Sequence, residues 1–176
     1  MVPVAGILVM RALGDRENGK EDLELLRSWR IALPLICAGL ISVLVMWADY
    51  SLAGTTRKAA EMIVEKYGKG ARPLLFQGHW GFQYYMEQHG AEAIDIKKQP
   101  VPIRQIMATP DNNTNIDIEI MKLGGRLATL RLKSASFLTT MNQDLGVGFY
   151  SSAYGGSLPF AFCNVPEEKF YIDIFQ

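Results

Sequence analysis

The sequence predicts an α/β fold, in which an N-terminal transmembrane helix is followed by a small mixed-sheet extracytoplasmic domain. Two observations lead to this prediction. Residues 31–48 form an apolar run without any charge, and residues 73–96 follow a strand–helix–strand pattern. We accordingly divide the chain into a partial membrane helix and cytoplasmic connector at residues 1–30, a transmembrane helix at 31–50 and an extracytoplasmic α/β domain at 51–176.

The apolar run has the length and the flanking residues of a membrane span. As a helix it would be roughly 27 Å long, about the thickness of the hydrocarbon core of a bilayer. Trp29 lies just before the run, and Trp47 and Tyr50 lie at its end, as in the aromatic belts of membrane proteins. The alternative is a buried helix in a soluble core. The length, the missing charge and the two aromatic ends favour the membrane.

Basic residues predict the orientation of this helix. Arg27 and Arg30 precede the run, and the next basic residue after it is Arg57. Because basic residues are retained on the cytoplasmic side, the chain after the run is predicted to lie outside the cytoplasm. The predicted location is the inner (plasma) membrane, with a single pass or as part of a multi-pass protein. Residues 2–10 are apolar but too short to span, and we interpret them as the tail of another membrane helix or as an interfacial piece.

The charge and the cysteine content exclude several classes of function. The 176 residues carry a formal net charge of zero and contain no basic block, so we expect no nucleic-acid partner. Cys37 lies in the apolar run and Cys163 lies far along the soluble part, so we expect neither a disulfide nor a metal site built on cysteines. No pattern in the sequence predicts a metal ion or another cofactor.

The soluble part alternates between helical and strand patterns. Residues 51–67 are predicted to be helical, and a second helix at 81–89 separates strands at 73–77 and 93–96, so part of the sheet should be parallel. We expect about five or six strands in total, a typical number for a sheet. The further strand candidates are residues 103–107, 116–120, 127–133, 149–152 and 169–175, and in the second of these Ile116, Ile118 and Ile120 should face inward.

The turn from the first strand into the second helix is the predicted binding site. A helix N-terminus at the end of a strand attracts anions, and exposed aromatic rings suit a sugar. The alternative is that His79 is a structural histidine and that the aromatic residues here, Trp80, Phe82 and Tyr85, fill a core, as aromatic residues at helical spacing commonly do. The predicted substrate-binding residues are His79, Trp80, Gln83 and Tyr84, together with Asn113 in the loop 112–115.

The sequence predicts no catalytic residue. His79 and His89 are the only histidines, and neither belongs to a Ser–His–Asp or Cys–His pattern. A weaker alternative is a small enzyme that uses His79 together with Asp95 or Asp111.

Several segments of the sequence together match a known pattern. These segments are residues 78–87 (GHWGFQYYME), 2–6, 11–13, 47–50, 112–115, 148–152 and 158–162. On these residues the sequence resembles the C-terminal part of bacterial multi-pass glycosyltransferases of the protein O-mannosyltransferase-like family, which use a polyprenyl-phosphate sugar donor. In that family the catalytic acidic residue lies in a loop near the N-terminus, and nothing in residues 1–30 can be that loop.

The resemblance implies a function for the whole chain. It implies the membrane-anchored extracytoplasmic portion of a lipid-linked-sugar glycosyltransferase, without the catalytic N-terminal half. The alternative is a stand-alone membrane-anchored binding or interaction module. The expected partners are the lipid bilayer and a polyprenyl-phosphate sugar or glycan.

Overall fold

The computed structural model describes residues 29–95, 98, 102–112, 124–148 and 158–175. In these parts of the chain it contains two α-helices, α1 (Trp29–Tyr67) and α2 (Trp80–Gln88). The strands are β1 (Leu75–Phe76), β2 (Glu92–Ala93), β3 (Ile106–Pro110), β4 (Gly124–Leu132), β5 (Leu138–Thr139), β6 (Met141–Asn142), β7 (Val147–Gly148), β8 (Ala161–Phe162) and β9 (Glu168–Phe175).

Helix α1 is one continuous helix of 39 residues, whereas the sequence pattern suggested two helices that meet near residue 50. Its only proline is Pro34, near the start, so no backbone hydrogen bond is lost in the middle of the helix. The helix ends at Tyr67, and the N–H of Gly68 donates to the carbonyl oxygen of Val64 at 2.8 Å. A side chain at residue 68 would lie 2.6 Å from that oxygen, so glycine ends the helix here.

The beginning of α1 is long and apolar enough to span a membrane. An 18-residue window has a mean hydropathy of 2.0, and only 6% of that window is buried. Leu33, Leu40 and Val43 are each more than half exposed. In a helix enclosed by a soluble core these side chains would be buried.

The chain divides into two compact units between Val43 and Leu44. In the first unit the structure describes the beginning of α1, from Trp29 to Val43. The second unit contains the remainder of α1, the helix α2 and all nine described strands.

The main sheet of the second unit has five strands in the order β2-β1-β3-β9-β4. The strand β1 pairs in parallel with both β2 and β3, while β9 is antiparallel to β3 and to β4. The prediction of a small mixed sheet with a parallel strand–helix–strand unit is therefore confirmed.

The core lies between this sheet and the two helices. Ala59, Ala60 and Ile63 of α1 are at most 1% exposed, and they belong to one cluster with Phe82 and Met86 of α2. Two adjacent alanines allow α1 to approach the sheet closely. Burying each large side chain contributes about 1.5–3 kcal/mol, so Phe82 and Met86 hold α2 against this core. The sheet contributes Phe76, Ala108, Phe170 and Ile172 to this cluster.

Two small ribbons complete the second unit. β5 pairs with β8, and β6 pairs with β7, in each case antiparallel. The first ribbon packs against α1, where Ala135 and Leu138 form a buried cluster with Ala48. Leu44, Val45 and Phe160 pack against the same cluster.

Several predicted strands have different bounds in the structure. The predicted strand at 73–77 is reduced to the two residues of β1, and the one at 103–107 is shifted to Ile106–Pro110. The predicted strand at 169–175 corresponds to β9. The segments 116–120 and 149–152 lie outside the described residues, so the inward orientation of Ile116, Ile118 and Ile120 stays a prediction.

Candidate functional site

A glycine allows the ends of β1 and β3 to meet next to α2. A Cβ atom at Gly78 would lie 2.8 Å from Cδ1 of Phe82 and 3.2 Å from the ring of Pro110. Pro110 is the last residue of β3, and Phe82 is buried in the first turn of α2. A side chain at position 78 would therefore require the ring of Phe82 or the ring of Pro110 to move.

The ends of β1 and β3 form a topological switch point. The chain continues from β1 through α2 to β2, on one side of β1. The next described strand after β3 is β4, which lies on the opposite side of β3 in the sheet. Open α/β sheets bind ligands in the crevice outside the carboxyl ends of two such strands.

A cavity of about 480 Å³ lies at this crevice, which we name the switch-point cavity. Its volume is within the range of small-molecule sites, and its walls are mainly apolar. Four parts of the second unit contribute: α1, the beginning of α2, the residue that follows the end of β3 by two positions, and the beginning of β6. The lining residues are Asp49, Leu52, Ala53, Thr56, His79, Trp80, Gly81, Phe82, Asn112 and Met141.

Trp80 has an unusual backbone conformation at the edge of this cavity. Its φ angle is +56°, in the left-handed region that a bulky side chain rarely adopts. Such a residue costs about 1–3 kcal/mol, and these residues cluster at functional sites. The side chain of Trp80 is 49% exposed and lines the cavity. An indole that is held this way offers a flat apolar face to a ligand.

The N-terminus of α2, which is the positive end of the helix dipole, lies at the same cavity. His79 is the N-cap residue, and its side chain makes no capping hydrogen bond to the helix. The first turn contains no acidic residue. Because the first N–H groups of a helix have no partner within the helix, this end attracts anions such as phosphate.

Asn112 is held in place by two hydrogen bonds. Its Nδ2 donates to Oε2 of Glu168 at 2.7 Å, and its Oδ1 accepts from the backbone N–H of Gln143 at 3.0 Å. Burial raises the pKa of the Glu168 carboxyl from 4.5 to about 7, and the negative charge of Asp111 adds to this rise. The hydrogen bond from Asn112 and the charge of Lys169 lower the pKa and offset only part of it. The amide at the cavity thus depends on a carboxyl group that titrates near neutral pH.

Two of the residues that line the cavity, Asp49 and Met141, were not predicted from the sequence. Asp49 is the first charged residue after the apolar run, and its Oδ1 accepts a hydrogen bond from Oγ1 of Thr140 at 3.2 Å. Met141 belongs to β6. No local pattern connects these residues to the turn at His79, since they are far from it in the sequence. The position of Asp49 at the end of the apolar run was the only available signal.

The structure separates the predicted binding residues into three places. His79 and Trp80 line the switch-point cavity. Gln83 lines a second cavity of about 400 Å³, which also includes His79, and its Nε2 donates to Oε1 of Glu87 at 2.8 Å. Tyr84 is 60% exposed and is not among the lining residues of either cavity. Asn113 lies outside the described residues, although its neighbour Asn112 reaches the switch-point cavity.

The alternative, in which the aromatic residues at this turn only fill a core, holds for Phe82 and Tyr85 but not for Trp80. Phe82 is 1% exposed and belongs to the core, and Tyr85 packs against that core. The expectation that Trp80 fills the core is wrong, because half of its side chain is exposed. His79 is half-buried and lines both cavities.

The candidate acidic partners of His79 lie in different places. Asp95 lines the second cavity together with His79, whereas Asp111 forms an ion pair with Lys169 at 3.5 Å. In the described parts of the chain, no group of three or more His, Cys, Asp or Glu side chains could hold a metal ion.

Comparisons with other proteins give no information on the function of this site. No protein-family model, no curated protein and no solved structure matches the chain.

Proposed function

We propose that this chain is the membrane-anchored, extracytoplasmic C-terminal portion of a lipid-linked-sugar glycosyltransferase, without its catalytic half. In this role it binds a polyprenyl-phosphate sugar in the switch-point cavity. One observation carries the proposal: a mainly apolar cavity of about 480 Å³ contains a helix N-terminus and an exposed tryptophan.

Each part of such a ligand has a matching group in the cavity. The phosphate suits the beginning of α2, where the helix dipole favours negative charge. The sugar ring suits the exposed indole of Trp80, because the C–H face of a sugar packs on an aromatic ring. Besides its hydrogen bonds to Glu168 and Gln143, the amide of Asn112 has one further N–H and one further lone pair for hydroxyl groups. Leu52 and Met141 offer apolar contacts to the first isoprene units.

A membrane anchor would hold the protein close to this ligand. A polyprenyl chain remains in the bilayer, so a protein that binds its head group gains from a membrane anchor. The wall of the cavity at Asp49, Leu52, Ala53 and Thr56 belongs to α1, whose beginning is long and apolar enough to span a membrane.

A second candidate function is a stand-alone membrane-anchored binding module. It is favoured by the hydrophobic core that the second unit forms from its own helices and sheet beside the cavity. A ligand could therefore bind without any catalytic half. The coding sequence upstream of Met1 distinguishes the two functions. An open frame in phase, with further apolar helices, supports the glycosyltransferase portion, whereas an unrelated gene there supports the stand-alone module.

Binding measurements on the full chain in lipid nanodiscs test the proposal. The titrants are a short-chain polyprenyl-phosphate sugar, the same polyprenyl phosphate without sugar, and the free sugar. We expect the first to bind best. Trp80→Ala should weaken its binding by about tenfold, because the loss of one aromatic contact costs about 1.4 kcal/mol.

Tyr84→Ala is the matched control, since Tyr84 is an exposed aromatic residue of the same helix outside the cavity lining. It should leave the affinity unchanged. Equal effects of the two substitutions, or equal affinities for the three titrants, would contradict the proposal.

A further inference from the structure

Three large aromatic side chains of the second unit are exposed near the end of the apolar run. Trp47, Phe137 and Phe162 are 42%, 45% and 58% exposed, and we name them the aromatic patch. The rings of Trp47 and Phe137 are stacked, with their centroids 5.4 Å apart. Exposed aromatic residues in one region commonly mark an interaction surface.

The patch adjoins a buried cluster between α1 and the β5–β8 ribbon. Phe162 contacts Phe160 edge-on at 5.9 Å, and Phe160 packs against the cluster that contains Ala48 and Leu138. Leu138 is also the pairing partner of Phe162 between β5 and β8. The β5–β8 ribbon therefore holds its exposed rings beside the last turns of the apolar run.

The segments that form this surface carry no charge. Residues 44–48, 134–143 and 158–166 contain no Asp, Glu, Lys or Arg. An interface with a soluble protein normally has a polar and partly charged rim, whereas charged groups are costly at the depth of the acyl chains. Aromatic residues at the end of an apolar run are typical of the membrane–water interface.

We propose that the aromatic patch is a second membrane contact, through which the β5–β8 ribbon lies in the interfacial layer of the bilayer. The proposal rests on the membrane anchor of the proposed function. It deepens that function, because a domain held against the lipid surface by both α1 and the ribbon keeps the cavity wall at Asp49 close to the head groups. The partner is the lipid itself.

Fluorescence quenching in nanodiscs tests this contact. Both native cysteines are replaced by serine, and an environment-sensitive dye is attached to Phe162→Cys in the full chain. A nitroxide-labelled lipid should reduce its fluorescence, and its emission should be shifted to the blue. The same dye at Leu127→Cys is the matched control, because Leu127 is an exposed apolar residue on β4 in the main sheet. That dye should be quenched by iodide in the water and not by the lipid.

Two further probes make the outcome unambiguous. Ser136→Cys keeps all aromatic rings, so lipid quenching there supports the proposal even if Phe162→Cys fails to fold. Leu40→Cys reports on the apolar run itself. Lipid quenching at residue 40 but not at residues 136 and 162 would overturn the second contact and leave the anchor intact. No lipid quenching at residue 40 would overturn the anchor as well. Protection of residues 136 and 162 from both quenchers would indicate a protein partner and would also overturn the proposal.

Discussion

The buried carboxyl of Glu168 should make the stability of the protein depend on pH near neutrality. Glu168 is 4% exposed, and burial raises its pKa from 4.5 to about 7. Below pH 4.5 the group is protonated in the folded and in the unfolded chain, so its burial costs little. As the pH rises to about 7, the unfolded chain loses its proton first, and the folded state becomes less stable.

The size of this effect follows from the pKa difference. At about 1.36 kcal/mol for each pKa unit, the rise corresponds to a loss of roughly 3 kcal/mol that is complete above the folded pKa. Glu168→Gln removes the ionisation but keeps an oxygen that can accept the hydrogen bond from Asn112. We therefore expect the variant to match the natural protein at about pH 5 and to be more stable by up to roughly 3 kcal/mol at about pH 8.

Urea-induced unfolding of the full chain in a mild detergent measures this difference. The signal is tryptophan fluorescence, recorded across the pH range for both proteins. Glu167→Gln is the matched control, because Glu167 is the exposed neighbour of Glu168 and should not change the pH dependence. If Glu168→Gln loses stability with rising pH as steeply as the natural protein, the buried carboxyl is not the cause.

Three further predictions concern single positions and are measured by the same unfolding assay. Gly78→Ala should destabilise the protein by about 1–3 kcal/mol because of overpacking. Gly54→Ala, where no atom lies within 4 Å of the new Cβ, should stabilise the helix by up to about 1 kcal/mol. A Gly78→Ala variant that is more stable than Gly54→Ala would contradict the close approach at Gly78. Phe82→Ala should cost about 3–5 kcal/mol, and a loss below about 1 kcal/mol would show that α2 is not anchored by this ring. Arg126→Ala should cost about 2–3 kcal/mol, because Asp173 is fully buried and loses the guanidinium that donates to it; the double variant with Asp173→Asn should recover part of this loss.

Local patterns in the sequence predicted the elements that have a clear period. The charge-free run and the helical spacing at 51–67 correspond to the first and the core-facing parts of α1. The turn at Gly78 comes just before the beginning of α2. The bounds of β1 and β2 were less accurate because each has only two residues. A strand of that length has no readable alternation, and only its neighbours in the sheet define it.

The cavity was predictable only on the side formed by one local segment. His79 and Trp80 follow a strand directly, and this position is a known place for ligands. Asp49 belongs to α1 and Met141 to β6, and both line the cavity because the chain at Thr140 lies against Asp49, which is a tertiary effect. The exposure of Trp80 and its left-handed backbone conformation were also not predictable, since no local pattern in the sequence indicates either.

The position of β9 has a consequence for how this protein is made in the cell. β9 is the last described strand in the sequence, but it lies between β3 and β4 in the sheet. These two strands cannot take their final places until residues 168–175 have left the ribosome. Until then the edge of β3 that pairs with β9 has no partner strand. An unpaired strand edge makes a nascent chain vulnerable to aggregation. A premature stop before Glu168 would remove the middle of the sheet and the carboxyl that holds Asn112 at the same time.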